Sequence, residues 1–210
     1  MMMECLQYNA GLPIGRELMK KTLAILAVAA GTVFAVPAQA TIVFQDGFEG
    51  EPAGSALNYA SFANWNVSNG TVDKIASGGF GITCAGGSGL CVDMDGSTSD
   101  AGDLATKTSF NILAGETVRL MFDYSGNQRG GAADTMNVSL GSLFTEVFSA
   151  IPANQPFQTI TRTFVAGANE SASLVFSHAG GDNFGMILDN VKLEVEPVPV
   201  PPAVLLMGSI

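Results

Sequence analysis

The chain has 210 residues and a formal net charge of −10, with 47% hydrophobic and only 13% charged side chains. An acidic surface of this kind repels nucleic acid and anionic lipid, and it favours cations or neutral ligands as partners. The frequent apolar β-branched and aromatic residues exclude a disordered chain, and the length suffices for one domain with its own core.

Residues 1–18 carry no pattern and precede a good start at Met19, so they read as a mis-called leader. Residues 19–40 read as a signal peptide that forms an N-terminal signal helix. Met19-Lys20-Lys21 is a short basic segment, Leu23 to Val36 is apolar, and Ala38-Gln39-Ala40 is an A-x-A cleavage site. The apolar run falls short of the ~20 residues that span a bilayer. Cleavage between Ala40 and Thr41 places the working protein in the periplasm, in the medium or at the cell surface.

From Thr41 onward no helical period appears, and short alternating runs take over. Ile42, Phe44, Asp46 and Phe48 share one phase. So do Val118, Leu120, Phe122 and Tyr124, then Ile160, Arg162 and Phe164, and finally Ile187, Asp189, Val191, Leu193 and Val195. A period of two marks half-buried strands. Further strands are predicted over 64–68, 71–76, 90–95, 104–111, 135–140, 143–148 and 171–178. Turn clusters separate them, among them Ser68-Asn69-Gly70, Ala85-Gly86-Gly87-Ser88-Gly89 and the Gly-rich segment 126–131. About ten short strands within 41–196 point to an all-β fold, an antiparallel β-sandwich of jelly-roll type.

Cys84 and Cys91 remain after cleavage. Six residues separate them, too few for the inter-sheet bridge of an immunoglobulin-like sandwich. In an exported protein they are expected to form a disulfide, with a metal pair or free thiols as the alternatives. After Glu196, Pro197-Val198-Pro199-Val200-Pro201-Pro202 is a stiff, extended linker. The apolar residues 203–210 that follow are too few to span a membrane, so 197–210 provides no stable anchor.

The segment 196–209 resembles the beginning of a PEP-CTERM sorting signal. It carries the Pro-rich start and the first part of the helix, without the rest of the helix or the terminal Arg cluster. The body is similar to a group of PEP-CTERM proteins over 57–73, 92–102, 125–131, 156–164 and 188–193. The resemblance implies an exported protein of a Gram-negative bacterium that makes exopolysaccharide, handled by export and sorting machinery. It also implies a jelly roll like those of galactose-binding and carbohydrate-binding modules.

Such jelly rolls hold a structural calcium where the first and last strands meet. Phe48-Glu49 and Leu188-Asp189 match that arrangement, and Asp46 lies close in sequence, so Asp46, Glu49 and Asp189 are the candidate Ca²⁺ ligands. Asp189 lies on the apolar face of its strand, and a buried carboxylate there needs a cation or hydrogen-bond donors. The alternative is a salt bridge from Asp189 to Arg162. Asp93, Asp95, Asp100 and Asp103 are dense but miss the EF-hand template, and alternation puts Asp93 and Asp95 on a solvated face.

Tyr59, Trp65 and Arg129 are the candidate contacts to a carbohydrate. The rings offer apolar platforms, and Arg129 sits in an exposed loop; the alternative for Trp65, the only Trp, is a plug in the core. No catalytic residue is assigned, because the only histidine, His178, has no nucleophile elbow to serve. The chain thus reads as a non-catalytic exported β-sandwich that binds or scaffolds extracellular carbohydrate. The alternatives are a calcium-stabilised surface or matrix protein without a sugar ligand, and a polysaccharide-acting enzyme that uses acidic residues.

Overall fold

The computed structural model describes residues 39–98 and 100–199. The leader 1–18, nearly all of the signal peptide and the chain beyond 199 lie outside the described residues. Ala40 and Thr41 are exposed, and Thr41 opens the first strand.

Thirteen strands follow one another among the described residues: β1 Thr41–Asp46, β2 Trp65–Ser68, β3 Asp73–Ala76, β4 Leu90–Asp93, β5 Asp103–Thr106, β6 Phe110–Ile112, β7 Thr117–Ser125, β8 Asp134–Leu140, β9 Phe144–Ile151, β10 Gln158–Val165, β11 Glu170–Ala172, β12 Leu174–His178 and β13 Ile187–Glu196. One sheet has the order β10-β7-β13-β4-β3, with β1 pairing the far half of β13. The facing sheet has the order β2-β5-β12-β8-β9, and β6 and β11 form a separate ribbon. Every pairing between named strands is antiparallel. The protein is an antiparallel β-sandwich of jelly-roll type.

Between the sheets lies a core whose centre is aromatic. The Phe176 ring on β12 stands 5.2 Å from Phe122 on β7 and 6.0 Å from Trp65 on β2. Val118, Leu120, Phe122 and Tyr124 all face this core, as the alternation of β7 requires. A second, smaller cluster of Ile75, Ile82, Cys84, Cys91 and Ile187 lies on the opposite side of the first sheet, since Cys91 alternates with core-facing Leu90 and Val92. The chain between β3 and β4 covers it.

The structure divides two of the predicted strands. The run over 104–111 breaks after Thr106, whose Oγ1 donates to the Thr108 carbonyl and accepts the Leu174 N–H. The run over 171–178 breaks at Ser173, which pairs with Ser109 by side-chain hydroxyls at 3.2 Å. Ile42 is half exposed rather than inward. β1 has a free edge there, and a register shift between Ile42 and Phe44 turns the side chain out.

Candidate functional site

Alternation that buries one face of β7 leaves Arg119, Met121 and Asp123 on the other. Thr161 and Thr159 of β10 lie opposite Met121 and Asp123, and Lys192 of β13 flanks Met121. Here the outer face of the first sheet is open. It carries a groove of about 880 Å³ with Met121 among its lining residues and Gln45, Asn64, Asp123, Thr159, Asn190 and Lys192 around it. Asp123 is held from two sides, accepting the Thr159 hydroxyl at 2.5 Å and the Asn190 Nδ2–H at 2.8 Å. Asn190 reaches Asp123 at an irregularity in β13, where the register with β7 shifts between Asp189 and Lys192 and Asn190 takes a φ of 50°. Asn tolerates that left-handed conformation better than most residues.

The disulfide-closed loop is tied to the groove through Glu49, which lines the groove and holds Leu90. Cys84 and Cys91 are bonded, as expected, with Cα atoms 5.5 Å apart. Beside the two cysteines stand two carboxylates. Asp189 Oδ2 accepts the N–H of Ala85 at 3.1 Å, and Glu49 Oε1 accepts the N–H of Leu90 at 2.8 Å. Gln128 grips the same loop with both ends of its amide, accepting the Thr83 N–H and donating to the Thr83 carbonyl. Burial pushes the Asp189 carboxyl up to about 7. The N–H groups of Asn190 and Ala85 act against this, and the negative charges of Asp123 and Glu49 add to it.

Glu49 and Asp189 therefore lie within electrostatic reach of each other. Asp46 does not join them. It is buried, its Oδ2 accepting the Trp65 indole N–H at 2.8 Å and its Oδ1 the Phe48 N–H at 2.7 Å. Among the described residues, no three His, Cys, Asp or Glu side chains stand together as metal ligands. Ca²⁺ takes about six to eight oxygen ligands, and of the three expected carboxylates only Glu49 and Asp189 are neighbours, each already accepting a backbone N–H. The Asp189–Arg162 salt bridge is absent: Arg162 forms a two-pronged pair with Glu146 at 2.6 Å.

The three residues read as carbohydrate contacts are not brought together. Trp65 is fully buried and offers no face to a ligand. Arg129 is not the exposed loop residue its Gly-rich surroundings suggest. Its guanidinium pairs with Asp93, donates to the Asn183 carbonyl at 3.1 Å and lies 4.4 Å over the Phe184 ring. Asp93 and Asp95 are likewise not solvated but wholly buried, because the Arg129 loop and the chain before β13 close over them. Tyr59 is half-buried, with its hydroxyl on Glu51 and Lys74 over its ring. Asp123, Thr159 and Asn190 went unrecognised in the sequence. The outward phase of Asp123 on β7 and an Asn inside a strand, Asn190, are the signals that could have found two of them.

No protein-family model matches the chain, and no curated protein sequence matches it. Solved structures do resemble it. A cyclase from Fischerella sp. TAU is similar at 14% identity, over 77% of this chain and 100% of that one, with a TM-score of 0.54. An arabinose-bound α-L-arabinofuranosidase, MgGH51, is similar at 13% identity over 71% of this chain and 25% of that one, with a TM-score of 0.51. The CBM22-1 xylan-binding domain of Paenibacillus barcinonensis Xyn10C is similar at 14% identity over 78% of this chain and 99% of that one, with a TM-score of 0.47. At these identities the likeness concerns the fold.

Proposed function

We propose that this protein is an exported, non-catalytic β-sandwich that binds extracellular carbohydrate, in the exopolysaccharide of a Gram-negative cell, through the groove over β7, β10 and β13. The groove itself carries the reading. It is open, it lies on rigid strands, and its rim mixes amides, a hydroxyl and single charges, the groups that pair with sugar hydroxyls. A PEP-CTERM-like tail and a disulfide accord with export and sorting outside the cytoplasm. Asp123 is poorly placed as a catalytic base, since both of its oxygens already accept hydrogen bonds. A glycan array with the mature protein tests the proposal. Binding of a polysaccharide that falls at least about tenfold in Asp123→Ala supports it. Binding of none, or turnover of the bound polymer, removes it.

A second reading, a calcium-stiffened surface or matrix protein without a sugar ligand, rests on the Glu49–Asp189 pair. A cation there would join the end of β1 to β13 and fix the disulfide loop between them. Ca²⁺ at a hundredfold excess over Kd would stabilise the fold by about 2.7 kcal/mol. The melting temperature is expected to rise with Ca²⁺, to fall in EDTA and to lose both responses in Glu49→Gln. A chelator-insensitive wild type rules the cation out.

A further inference from the structure

A second hollow of about 410 Å³ lies between Thr83 beside the disulfide loop, Ser125 at the end of β7, Gln128 of the β7–β8 connection, and Asn154, Gln155 and Phe157 ahead of β10. No charged side chain lines it, in contrast to the groove with Glu49, Asp123 and Lys192. Its walls are fixed. Gln128 is locked onto Thr83 and Ser125, and Phe157 leans on the Ile75–Ile82–Cys84–Cys91–Ile187 cluster. The side-chain amides of Asn154 and Gln155 make no hydrogen bond to another described residue. The hollow thus presents one aromatic face and two uncommitted amides, and its volume falls within the range of small-molecule pockets.

Hollow and groove lie end to end on the same face. Asp123 in the groove and Ser125 in the hollow are alternate residues of β7, about 7 Å apart at the rise of a strand. Thr159, opposite Asp123, stands in the groove, and Phe157, two residues earlier, stands in the hollow. A ligand lying along β7 and β10 meets both.

We infer that the groove and the hollow form one track for a linear glycan chain, with the hollow taking an uncharged sugar ring against Phe157. The inference rests on the carbohydrate reading above and adds the mode of recognition, a stretch of chain rather than a single terminal sugar. Asn154 and Gln155 supply amides to the ring hydroxyls, and the apolar face of the ring packs on Phe157. The disulfide loop, fastened by Asp189 and Gln128, keeps the Thr83 wall in place.

Calorimetric titration of the mature protein tests this, with xylo-, cello-, laminari- and chito-oligosaccharides of one to six residues and any polymer retained on the array. The bound series should gain at least about tenfold in affinity between the disaccharide and the hexasaccharide. Asp123→Ala in the groove and Gln155→Ala in the hollow should each weaken the hexasaccharide about tenfold. Gln155→Ala removes no internal hydrogen bond of its side chain, so its fold is not at stake. Phe157→Ala, with its melting temperature recorded, should do the same. Affinity that is flat beyond two residues, with Gln155→Ala and Phe157→Ala silent, overturns the single track and leaves sugar binding in the groove standing. Binding of no oligosaccharide or polymer overturns both.

Discussion

Asp189 on the last strand accepts the backbone N–H of Ala85, 104 positions earlier in the chain, at 3.1 Å. Glu49, which follows the first strand, does the same for Leu90. The two ends of the domain thus hold the two ends of the loop that Cys84 and Cys91 close; Glu49 also lines the groove, and Thr83, next to Cys84, lines the hollow.

Because the loop is held by hydrogen bonds as well as by its disulfide, losing the disulfide should weaken the protein without unfolding it. A bridge spanning seven positions stabilises by about 2.5 kcal/mol in the chain-entropy model. Cys84→Ser with Cys91→Ser should lower stability by roughly that amount, read from urea unfolding, while the circular dichroism of the sheets stays native. Loss of all structure would show that the pair does more than close a loop.

Arg129 should behave as a structural clamp. Its pairing partner Asp93 is wholly buried, and its guanidinium also ties the Asn183 carbonyl and the Phe184 ring. Truncation strands a buried carboxylate, which costs roughly 3–5 kcal/mol for a buried pair; residual solvent access at Arg129 favours the lower end. Arg129→Ala should lose about 3 kcal/mol of stability by chemical denaturation. A near-neutral variant that abolishes glycan binding would instead make Arg129 a ligand contact.

Asp93 also predicts how stability follows pH. Burial lifts its carboxyl to about 7, against the pull of Arg129 and of the Asp95 and Gly185 N–H groups, while Asp73 adds to the rise. In the unfolded chain the same group titrates near 3.8. The folded state therefore binds more protons between these values. The resulting stabilisation is complete below the lower pKa and is lost as pH rises through the upper one. Urea midpoints should increase from pH 8 to pH 5. Asp189, raised in the same direction, shares in the trend. Asp93→Asn should flatten part of the slope, and an unchanged slope would show that Asp93 titrates normally.

What could be read along the sequence was what depends on neighbours in the chain. The alternation of Val118, Leu120, Phe122 and Tyr124 set the inner face of β7, and the spacing of Cys84 and Cys91 permitted their bond. What could not be read depends on segments far apart. Asp93 and Asp95 alternate as if solvated, and only the folding of 126–131 and 181–186 over them buries their carboxylates. Ile42 has the right phase for the core but sits at a bulged free edge. The groove needs the register of β7 against both β10 and β13, and no local pattern encodes that register.

Asp46 and Trp65 supply the last prediction, because each was a candidate site residue, one for calcium and one for sugar, and the structure joins them by a buried hydrogen bond. The indole N–H has one acceptor, Asp46 Oδ2, which also takes a hydrogen from Asn64. Asp46→Ala removes that acceptor from a fully buried donor, at a cost of about 1–3 kcal/mol, and frees the Phe48 N–H as well. Trp65 is the only tryptophan, so its fluorescence reports on this place alone. Native emission should be blue-shifted, as in an apolar environment. It should shift red in one cooperative step with denaturant, and at lower concentration in Asp46→Ala. The ring itself is fully buried, but its acceptor Asp46 and the neighbouring Asn64 line the groove, so a glycan bound there should shift the emission slightly without exposing the indole to an aqueous quencher. Native fluorescence that acrylamide or iodide quenches readily would overturn the assignment of Trp65 to the core.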